Sequence, residues 1–375
     1  MEIVPLHTDI GHNHSRLRRT TRMCFIVCCI SIAVAQTHAQ TSTQTSAQTS
    51  QRTQTTEATP LRIVSWNIAN LHHETDVALR SRAAARSASD YQALASIAAN
   101  LNADIALLQE VGSLQAVARV FPASAYHLFI SDRYTTGDES KSMEQRDIYT
   151  AVAISKDRFP TPPPVYTESA FSISHIDYHA KSATASSRPT RAAMVVELQQ
   201  HARTVKLLNL HLKSSCHQYA LKPVADQNKQ SGQVYGSRFD CRTLKAQQLI
   251  LENWIEVQHA LGHGVIIGGD FNRRLNRVFE NGNTDHFWQD LNDGEPGNLI
   301  LHKGPVGPDT QCWPQHKRRF IEHIDFFVLD ASIVTRYPAY TIEKKGLSHD
   351  NNPAYAGKRN QKLSDHCPVV LTLQP

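Results

Sequence analysis

The segment GVIIGGDFN, residues 264–272, joins an apolar run typical of a buried strand to polar residues directly at its end. The two glycines after Ile267 allow the backbone to pack closely. Asp270 and Asn272 stand two positions apart, so both side chains lie on the same side of an extended segment. A carboxylate beside an amide is suited to holding a water molecule and a phosphate oxygen, although the same residues are also common in turns.

Five other segments carry a carboxylate, an amide or a histidine next to an apolar run. They are SWN at 65–67, LQE at 108–110, NLHLK at 209–213, HID at 323–325 and SDHC at 364–367. Burying such side chains without partners costs roughly 1 to 3 kcal/mol each. Each segment alone has an ordinary explanation, such as capping or a solvated strand end. The recurrence of the pattern along one chain predicts a single shared site.

Apolar runs with strand character recur along the chain, with two amphipathic helical patterns between them. Helices are predicted around 91–101 and 244–255, where apolar residues recur at helical spacing. Many strands with few helices indicate a layered α/β or α+β domain of two packed sheets covered by helices. We expect the long polar loops at 156–190, 213–241 and 275–320 to rim a cleft. The strands are predicted at 61–66, 105–108, 151–154, 193–198, 205–212, 265–267, 324–329 and 367–373.

The first sixty residues differ in composition from the rest of the chain. Arg18, Arg19 and Arg22 precede an apolar run at 24–35 and small residues up to Ala39, an order typical of an export signal. An uncleaved anchor or a poorly ordered tail is the alternative. Residues 40–60 are nearly all Thr, Gln, Ser and Ala, which predicts a disordered linker. We therefore expect a signal peptide at 1–39, a linker at 40–60, and a secreted or periplasmic domain at 61–375.

The charge, the cysteines and the absence of certain motifs indicate which partners and cofactors to expect. The formal net charge of +5 suggests an anionic partner. A disulfide between Cys216 and Cys241 is plausible in an exported protein, although Cys312 and Cys367 leave other pairings open. The sequence has no CxxC pair, which argues against a cysteine-ligated zinc site. It also has no phosphate-binding GxxxxGK loop, which argues against a nucleotide cofactor.

Taken in order, SWN, QE, NLHL, GDFN, ID and SDH resemble the endonuclease/exonuclease/phosphatase superfamily, which includes deoxyribonuclease I-like enzymes. The resemblance runs from Leu61 to the C-terminus. It implies a four-layered α/β (α+β) sandwich of two mostly antiparallel β-sheets, packed together and flanked by helices. It also implies a metal-dependent hydrolase of phosphoric esters whose cofactor is Mg²⁺, or else Mn²⁺ or Ca²⁺. Hard oxygen ligands at the strand ends suit such ions.

The resemblance further implies a role for each matching residue. Glu110 would be the main metal ligand, with Asn67 and Asp365 nearby as further metal or phosphate contacts. Asp270 would orient or deprotonate the attacking water molecule. Asn272 would hold the phosphate.

Two histidines complete the site that the resemblance implies. His366, oriented by Asp325, would stabilise the transition state or transfer a proton. His211 would act as the acid on the leaving oxygen. One position departs from the pattern, because Gly112 stands where deoxyribonuclease I-like members can carry a DNA-contacting arginine. The arginines that could contact substrate phosphate instead, although a solvated surface also explains them, are Arg191, Arg273 and Arg274.

The leading hypothesis is a Mg²⁺-dependent nuclease that cuts DNA or RNA by in-line attack of water and acts as a monomer. The alternative on the same fold is a phosphomonoesterase or a sphingomyelinase-like phospholipid hydrolase. For the lipid hydrolase, the alternating apolar residues Phe171, Ile173, Ile176 and Tyr178 are a candidate membrane-contacting hairpin, although such a pattern is more often a buried or edge strand. A catalytically silent binding module is disfavoured, because every expected catalytic residue type is present.

Overall fold

The computed structural model describes residues 59–81, 83–173, 189–200, 203–216, 221, 239–277, 286–306, 312, 323–347 and 363–375. The predicted signal peptide, nearly all of the predicted linker, Ile176 and Tyr178 lie outside these residues. None of the helices within them has the length and apolarity that crossing a membrane requires.

Twelve strands in the described part of the chain form two six-stranded sheets. The first sheet contains β1 (Leu61–Leu71), β2 (Ile105–Val111), β3 (Tyr126–Ile130), β4 (Tyr149–Ser155), β11 (Thr341–Lys344) and β12 (Val369–Leu373), in the spatial order β11-β12-β1-β2-β4-β3. The second contains β5 (Val165–Glu168), β6 (Ala193–Gln200), β7 (Arg203–His211), β8 (Gly264–Asp270), β9 (Leu301–Gly304) and β10 (Asp325–Asp330), in the order β5-β6-β7-β8-β10-β9. The helices are α1 (Ala88–Leu101), α2 (Leu114–Ala118), α3 (Phe239–Ala260), α4 (His286–Leu291) and α5 (Ala331–Arg336), with short 3₁₀ turns at Asp138–Ser140 and Ser169–Phe171.

Three apolar cores hold the layers together. The central core lies between the sheets, where Leu107 of the first sheet and Phe327 of the second belong to one buried cluster. Helices α1 and α2 cover the outer face of the first sheet, and α3 and α4 cover that of the second. The predicted four-layered fold is therefore confirmed. The sheets approach closely at Gly268, where an added Cβ would lie 2.7 Å from Leu107 Cδ1 and 2.5 Å from Phe327 Cε1.

Helix α1 shows how local sequence sets the boundaries of an element. Ser87 caps its N-terminus in a capping box, because the Ser87 hydroxyl accepts from Asp90 N–H while Asp90 accepts from Ser87 N–H at 2.7 Å. Tyr91 and Leu94 are buried against the first sheet. Asn102 ends the helix in the left-handed conformation. Helix α1 therefore begins and ends where its capping residues stand.

Two disulfides brace the chain close to the predicted site. Cys216 pairs with Cys241, as predicted. Cys312 pairs with Cys367, a bond that the sequence left open. The first joins the segment after β7 to α3, and the second lies directly beside His366. Both crosslinks therefore restrain segments that lead into predicted site residues.

Candidate active site

Strand pairing gathers the predicted site residues at one end of the sandwich. Each sheet has one parallel pair, β1 with β2 and β7 with β8, so the C-terminal ends of these strands share an edge. Strands β12 and β10 run antiparallel to β1 and β8 and therefore begin at the same edges. Within the second sheet, the register sets both His211 and Asp325 directly opposite Asp270. A hydrogen bond from Asn67 Nδ2 to Asp270 Oδ2, at 3.1 Å, joins the two edges.

Asp270 is a buried carboxylate that accepts hydrogen bonds from two asparagines. Besides Asn67, Asn272 donates to it through its backbone N–H at 2.8 Å and through Nδ2 at 3.2 Å. Burial and the nearby charge of Asp325 raise the pKa of Asp270 to about 7, against the opposing influence of His366 and these hydrogen bonds. A carboxylate that titrates near neutrality is suited to accept a proton from water.

The amide of Asn272 is already engaged in this arrangement. Its Nδ2 donates to Leu212 O at 3.0 Å as well as to Asp270. Asn272 also adopts the left-handed backbone conformation, with φ at 50°. In this structure it therefore positions Asp270, and a direct contact with phosphate, which stays a prediction, requires one of these bonds to be exchanged.

Asp325 and His366 form a hydrogen-bonded pair beside Asp270. Asp325 Oδ2 lies 2.8 Å from His366 Nδ1, and His366 Nε2 lies 4.0 Å from Asp270 Oδ2. Burial alone lowers the pKa of His366, but attraction to Asp325 and Asp270 outweighs it and raises that pKa well above the ordinary value. His366 is therefore held as an imidazolium that can donate to a phosphate oxygen.

The backbone of the His366 segment is fastened to β1. His366 N–H donates to Ser364 Oγ at 3.0 Å, and the Ser364 hydroxyl donates to Asn67 O at 2.7 Å. Trp66 Nε1 donates to His366 O at 3.2 Å. Trp66, a buried core residue, therefore also fixes the position of this histidine.

Glu110 enters the cleft from a distorted point in β2. Its φ is 58°, and the pairing of β2 with β4 shifts register between Leu108 and Val111. Glu110 Oε2 accepts from Asn70 Nδ2 at 2.8 Å, and Oε1 lies 3.8 Å from His211 Nε2. A bulge of this kind re-aims a side chain. Here it directs a carboxylate out of the strand and towards the other sheet.

His211 lies between the two carboxylates of the cleft. Its Nε2 is 3.4 Å from Asp270 Oδ2 and 3.8 Å from Glu110 Oε1. Burial and the positive charge of Arg191 lower the pKa of His211 well below its ordinary value. A neutral imidazole still has one N–H, so His211 can donate a hydrogen bond to a phosphate oxygen. Its predicted role as the acid stays a prediction.

A polar pair underneath the cleft supports the bulge. Gln109 Nε2 donates to Asn209 Oδ1 at 2.7 Å, and Asn209 Nδ2 donates to Leu108 O at 3.1 Å and Ala151 O at 2.9 Å. Both side chains are fully buried. Asn209, a residue of the second sheet, thus supplies hydrogen bonds to two strands of the first sheet where their own ladder is interrupted.

The oxygen donors at the strand ends fit a divalent cation. Glu110 presents a partly exposed carboxylate, and Asp365 is 66% exposed at the rim, with Oδ1 4.0 Å from His366 Nε2. Asn67 Oδ1 accepts from Ala69 N–H and keeps a second lone pair. These oxygen donors suit Mg²⁺.

A second group of possible metal ligands consists of Asp270, Asp325 and His366, whose ligand atoms lie within 4.8 Å of one another. The Nδ1 of His366 is already hydrogen-bonded to Asp325. This group is therefore better suited to proton transfer.

The three predicted phosphate-binding arginines have different surroundings. Arg191 is partly exposed, and its Nη2 donates to Leu212 O. Arg274 is also partly exposed, and phosphate contact by either residue stays a prediction. Arg273 is fully buried, and its Nη1 donates to Cys216 O at 2.6 Å. The expectation that Arg273 contacts substrate is therefore corrected, because its guanidinium has no surface to offer and supports the loop after β7 instead.

The prediction of a membrane-contacting hairpin is also wrong in part. Phe171 is buried in the core under the second sheet and has almost no exposed apolar surface. Ile173 is half-buried. Of the two described residues of that candidate hairpin, Phe171 therefore cannot contact a membrane, and Ile173 offers only part of its side chain.

Three residues that hold the site had no predicted role. Asn70 binds Glu110, Ser364 fastens the His366 segment, and Arg86 is a buried arginine at the end of β1. Asn70 lies only three residues beyond Asn67 and follows the predicted strand at 61–66, so its position was a usable signal. Ser364 and Arg86 make contacts far along the chain, which no local pattern reveals.

A carboxylate able to accept a proton, an imidazolium, and a carboxylate facing them supply what hydrolysis of a phosphoric ester needs, and the protein is an enzyme of that class. The model of the Endonuclease/Exonuclease/phosphatase family matches residues 64–366. The chain belongs to this family.

Similar solved structures include TDP2 from Caenorhabditis elegans, which is 17% identical with a TM-score of 0.46 and covers 84% of this chain and 75% of that chain. The human Nocturnin catalytic domain is 13% identical with a TM-score of 0.46, over 84% and 93% of the two chains. The AP endonuclease LMAP from Leishmania major is 12% identical with a TM-score of 0.47, over 84% and 88%. A comparison of the sequence with curated proteins found no match.

Proposed function

We propose that the protein is an exported, Mg²⁺-dependent phosphodiesterase that cuts nucleic acid by in-line attack of water. The observation that carries this proposal is the position of Asp270, which lies between His211 at 3.4 Å and His366 at 4.0 Å. A base flanked by two imidazoles can receive a proton while the imidazoles bind the oxygens of the same phosphate.

Each group then has a chemical task in the displacement. Asp270 takes the proton of the attacking water molecule as the water oxygen bonds to phosphorus, and its raised pKa makes it a competent base near neutral pH. The P–O bond to the leaving oxygen breaks, and that oxygen keeps the electron pair, accepts a hydrogen bond from His211 and takes its proton from solvent. His366 donates to a non-bridging oxygen, where negative charge develops in the transition state. Glu110, Asn67 and Asp365 would hold the metal ion, which supplies charge neutralisation on the phosphate.

The charges around the cleft favour a substrate with several phosphates. Arg191, Arg80 and Lys213 all lie close enough to His211 to lower its pKa. Such a cationic surround suits a nucleic acid, whose neighbouring phosphates lie on both sides of the one that is cleaved. The buried position of Phe171 removes one argument for a phospholipid substrate.

Export is supported by the disulfides together with the signal-like N-terminus. Both Cys216–Cys241 and Cys312–Cys367 are bonded, and disulfides persist in oxidising compartments such as the periplasm and the exterior. Fractionating cells that express the full chain tests this part of the proposal. Protein that stays in the cytoplasm at full length would contradict it.

The substrate is tested by offering the protein four phosphoric esters in parallel. These are plasmid DNA, RNA, sphingomyelin vesicles and a phosphomonoester, each with Mg²⁺ or with EDTA. We expect chelator-sensitive cleavage of nucleic acid, lost in Asp270→Ala and His366→Ala. His263→Ala is the matched control, because within the described part of the chain the His263 side chain bonds only Gln258, at 2.9 Å, at the far end of β8 from the cleft. Turnover of only the lipid or the monoester would refute the nuclease assignment.

A further inference from the structure

We propose that Arg86 and Asn70 are positioning residues that aim the metal-binding carboxylate of Glu110 and fix its distance from His366. The inference rests on the proposed function, because it takes Glu110 as a metal ligand. It adds a support that lies behind the reacting groups and contacts none of the substrate.

Arg86 is a buried cation surrounded by carbonyl groups. It is 1% exposed. Its Nη2 donates to Ile68 O at 2.7 Å, Ala69 O at 2.7 Å and Leu363 O at 2.8 Å, and its Nη1 donates to Asn70 O at 3.2 Å. Burying a guanidinium is costly unless its donors are satisfied in a fixed geometry. Its Nε has no hydrogen-bond partner among the described residues, so the bonds from its two Nη groups to these four carbonyls are what compensates for burying the charge.

The backbone that Arg86 binds is strained. Ala69 and Asn70 both adopt the left-handed conformation, with φ at 51° and 57°. An alanine rarely does so, because its Cβ then crowds the following carbonyl. The pairing of β1 with β2 also shifts register between Asn67 and Leu71. Arg86 therefore stabilises a turn that these residues would not adopt by themselves.

The turn places Asn70 against the metal-binding carboxylate. Asn70 Nδ2 donates to Glu110 Oε2 at 2.8 Å, while Glu110 Oε1 faces His211 at 3.8 Å. The amide thus occupies one oxygen of Glu110 and turns the other towards the cleft. Residues that orient a ligand in this way commonly change metal affinity when they are removed.

The Nη2 of Arg86 also reaches the segment that precedes β12, the strand beside β1 in the first sheet. Its bond to Leu363 O lies directly before Ser364, which links to Asn67 O at 2.7 Å and receives the His366 N–H at 3.0 Å. One guanidinium therefore joins the turn that aims Glu110 to the segment that carries His366. The separation of the metal ligand and the imidazolium depends on it.

The test measures Mn²⁺ binding, by electron paramagnetic resonance of the free ion, to the unliganded protein without substrate. The variants are Arg86→Met, Arg86→Lys and Asn70→Ala. Arg62→Met is the matched control, because Arg62 also bonds a backbone carbonyl, Leu101 O at 3.0 and 3.2 Å, but at the other end of β1. Thermal unfolding of each variant reports whether it is folded.

We expect Arg86→Met and Asn70→Ala to weaken Mn²⁺ binding about tenfold or more, and Arg62→Met to leave it unchanged. Arg86→Lys should lie between, since it keeps the charge but cannot span four carbonyls. A folded Arg86→Met protein with wild-type Mn²⁺ affinity would overturn the inference. If Arg86→Met does not fold, wild-type affinity in both Asn70→Ala and Arg86→Lys would overturn it. A wild-type protein that binds no Mn²⁺ would instead count against the proposed function.

Discussion

The hydrogen bond between Asp325 and His366 predicts that these residues act as one unit. Asp325 Oδ2 and His366 Nδ1 are 2.8 Å apart, and their side chains are 9% and 14% exposed. Of these two residues, His366 turns a nitrogen towards the base, with its Nε2 4.0 Å from Asp270 Oδ2. Asp325 therefore holds His366 in addition to raising the pKa of Asp270, and Asp325→Asn should cost much less turnover once the histidine has been removed.

The sizes of the two single effects follow from the kinds of bond lost. A hydrogen bond to a charged group contributes about 1.5 to 3 kcal/mol and a neutral one about 0.5 to 1.5. Replacing the carboxylate of Asp325 by an amide should therefore cost about 1 to 2 kcal/mol, or roughly 5- to 30-fold in kcat. His366→Ala removes the donor itself and should cost on the order of 10² to 10⁴-fold. The double variant should be little slower than His366→Ala.

The free energy of unfolding should be higher for the double variant than for His366→Ala, although the double variant turns over no faster. Asp325 Oδ1 is buried and has no hydrogen-bond partner among the described residues. His366→Ala therefore leaves a buried carboxylate without its partner, a change that costs about 3 to 5 kcal/mol in such pairs. Adding Asp325→Asn removes that charge, so the double variant should unfold at higher urea concentration than His366→Ala. Steady-state kinetics on a small phosphodiester and urea unfolding at pH 7 measure both effects. Losses in kcat that multiply in the double variant would refute the reasoning.

Three further predictions come from other parts of the fold. A Cβ at Gly269, whose φ is 155°, would lie 2.1 Å from Leu210 O. Gly269→Ala should therefore destabilise the protein by about 4 kcal/mol or more in urea unfolding. A loss of stability under about 1 kcal/mol would contradict this close approach. The charge of Arg80 lowers the pKa of His211, so Arg80 lies near the cleft. Arg80→Gln should therefore reduce the slope of log affinity against log salt concentration for an oligonucleotide by about 0.7 to 0.9, without changing kcat on a small diester. An unchanged slope would argue against a phosphate contact by Arg80. Burial raises the pKa of Asp138, but hydrogen bonds from a lysine, a tyrosine and a backbone amide outweigh it and hold that pKa below the usual value. Because the folded-state pKa is depressed, the stability it contributes is present above about pH 4 and is lost as the pH falls further; the difference in unfolding free energy between wild type and Asp138→Asn should shrink from pH 5 to pH 3, and a constant difference would exclude this linkage.

The sequence predicts the interior of both sheets and misses their edges. All eight predicted strands are present, and they are the eight interior strands. The four strands without a prediction, β3, β5, β9 and β11, are the four edges. Every residue of β8 is buried, whereas every residue of β3 is only half-buried. An apolar run marks a strand that is covered on both faces. An edge strand is partly solvated and carries no such run.

The reacting side chains could be predicted for a related reason. A polar residue at the end of an apolar run is visible locally, and parallel pairing then brings the strand ends together. Asn67, Glu110, His211 and Asp270 were found in this way. Arg86 was not, because its defining contact with Leu363 spans 277 residues. An arginine directly before a helix is usually solvated, so nothing nearby in the sequence marks it as buried.

The orientation of the side chains in the cleft depends on backbone conformations that their residue types disfavour. Ala69, Asn70, Glu110 and Asn272 all have positive φ at the cleft, at a cost of roughly 1 to 2 kcal/mol for each residue that lacks a compensating bond. Tertiary contacts supply the compensation: Arg86 binds the carbonyls of Ala69 and Asn70, and Leu212 O accepts from Asn272 Nδ2. Because these contacts come from distant segments, the same sequence motifs without them would keep the reacting groups but lose their orientation. The identity of the site is therefore encoded locally, and its geometry is encoded by the packing of the two sheets.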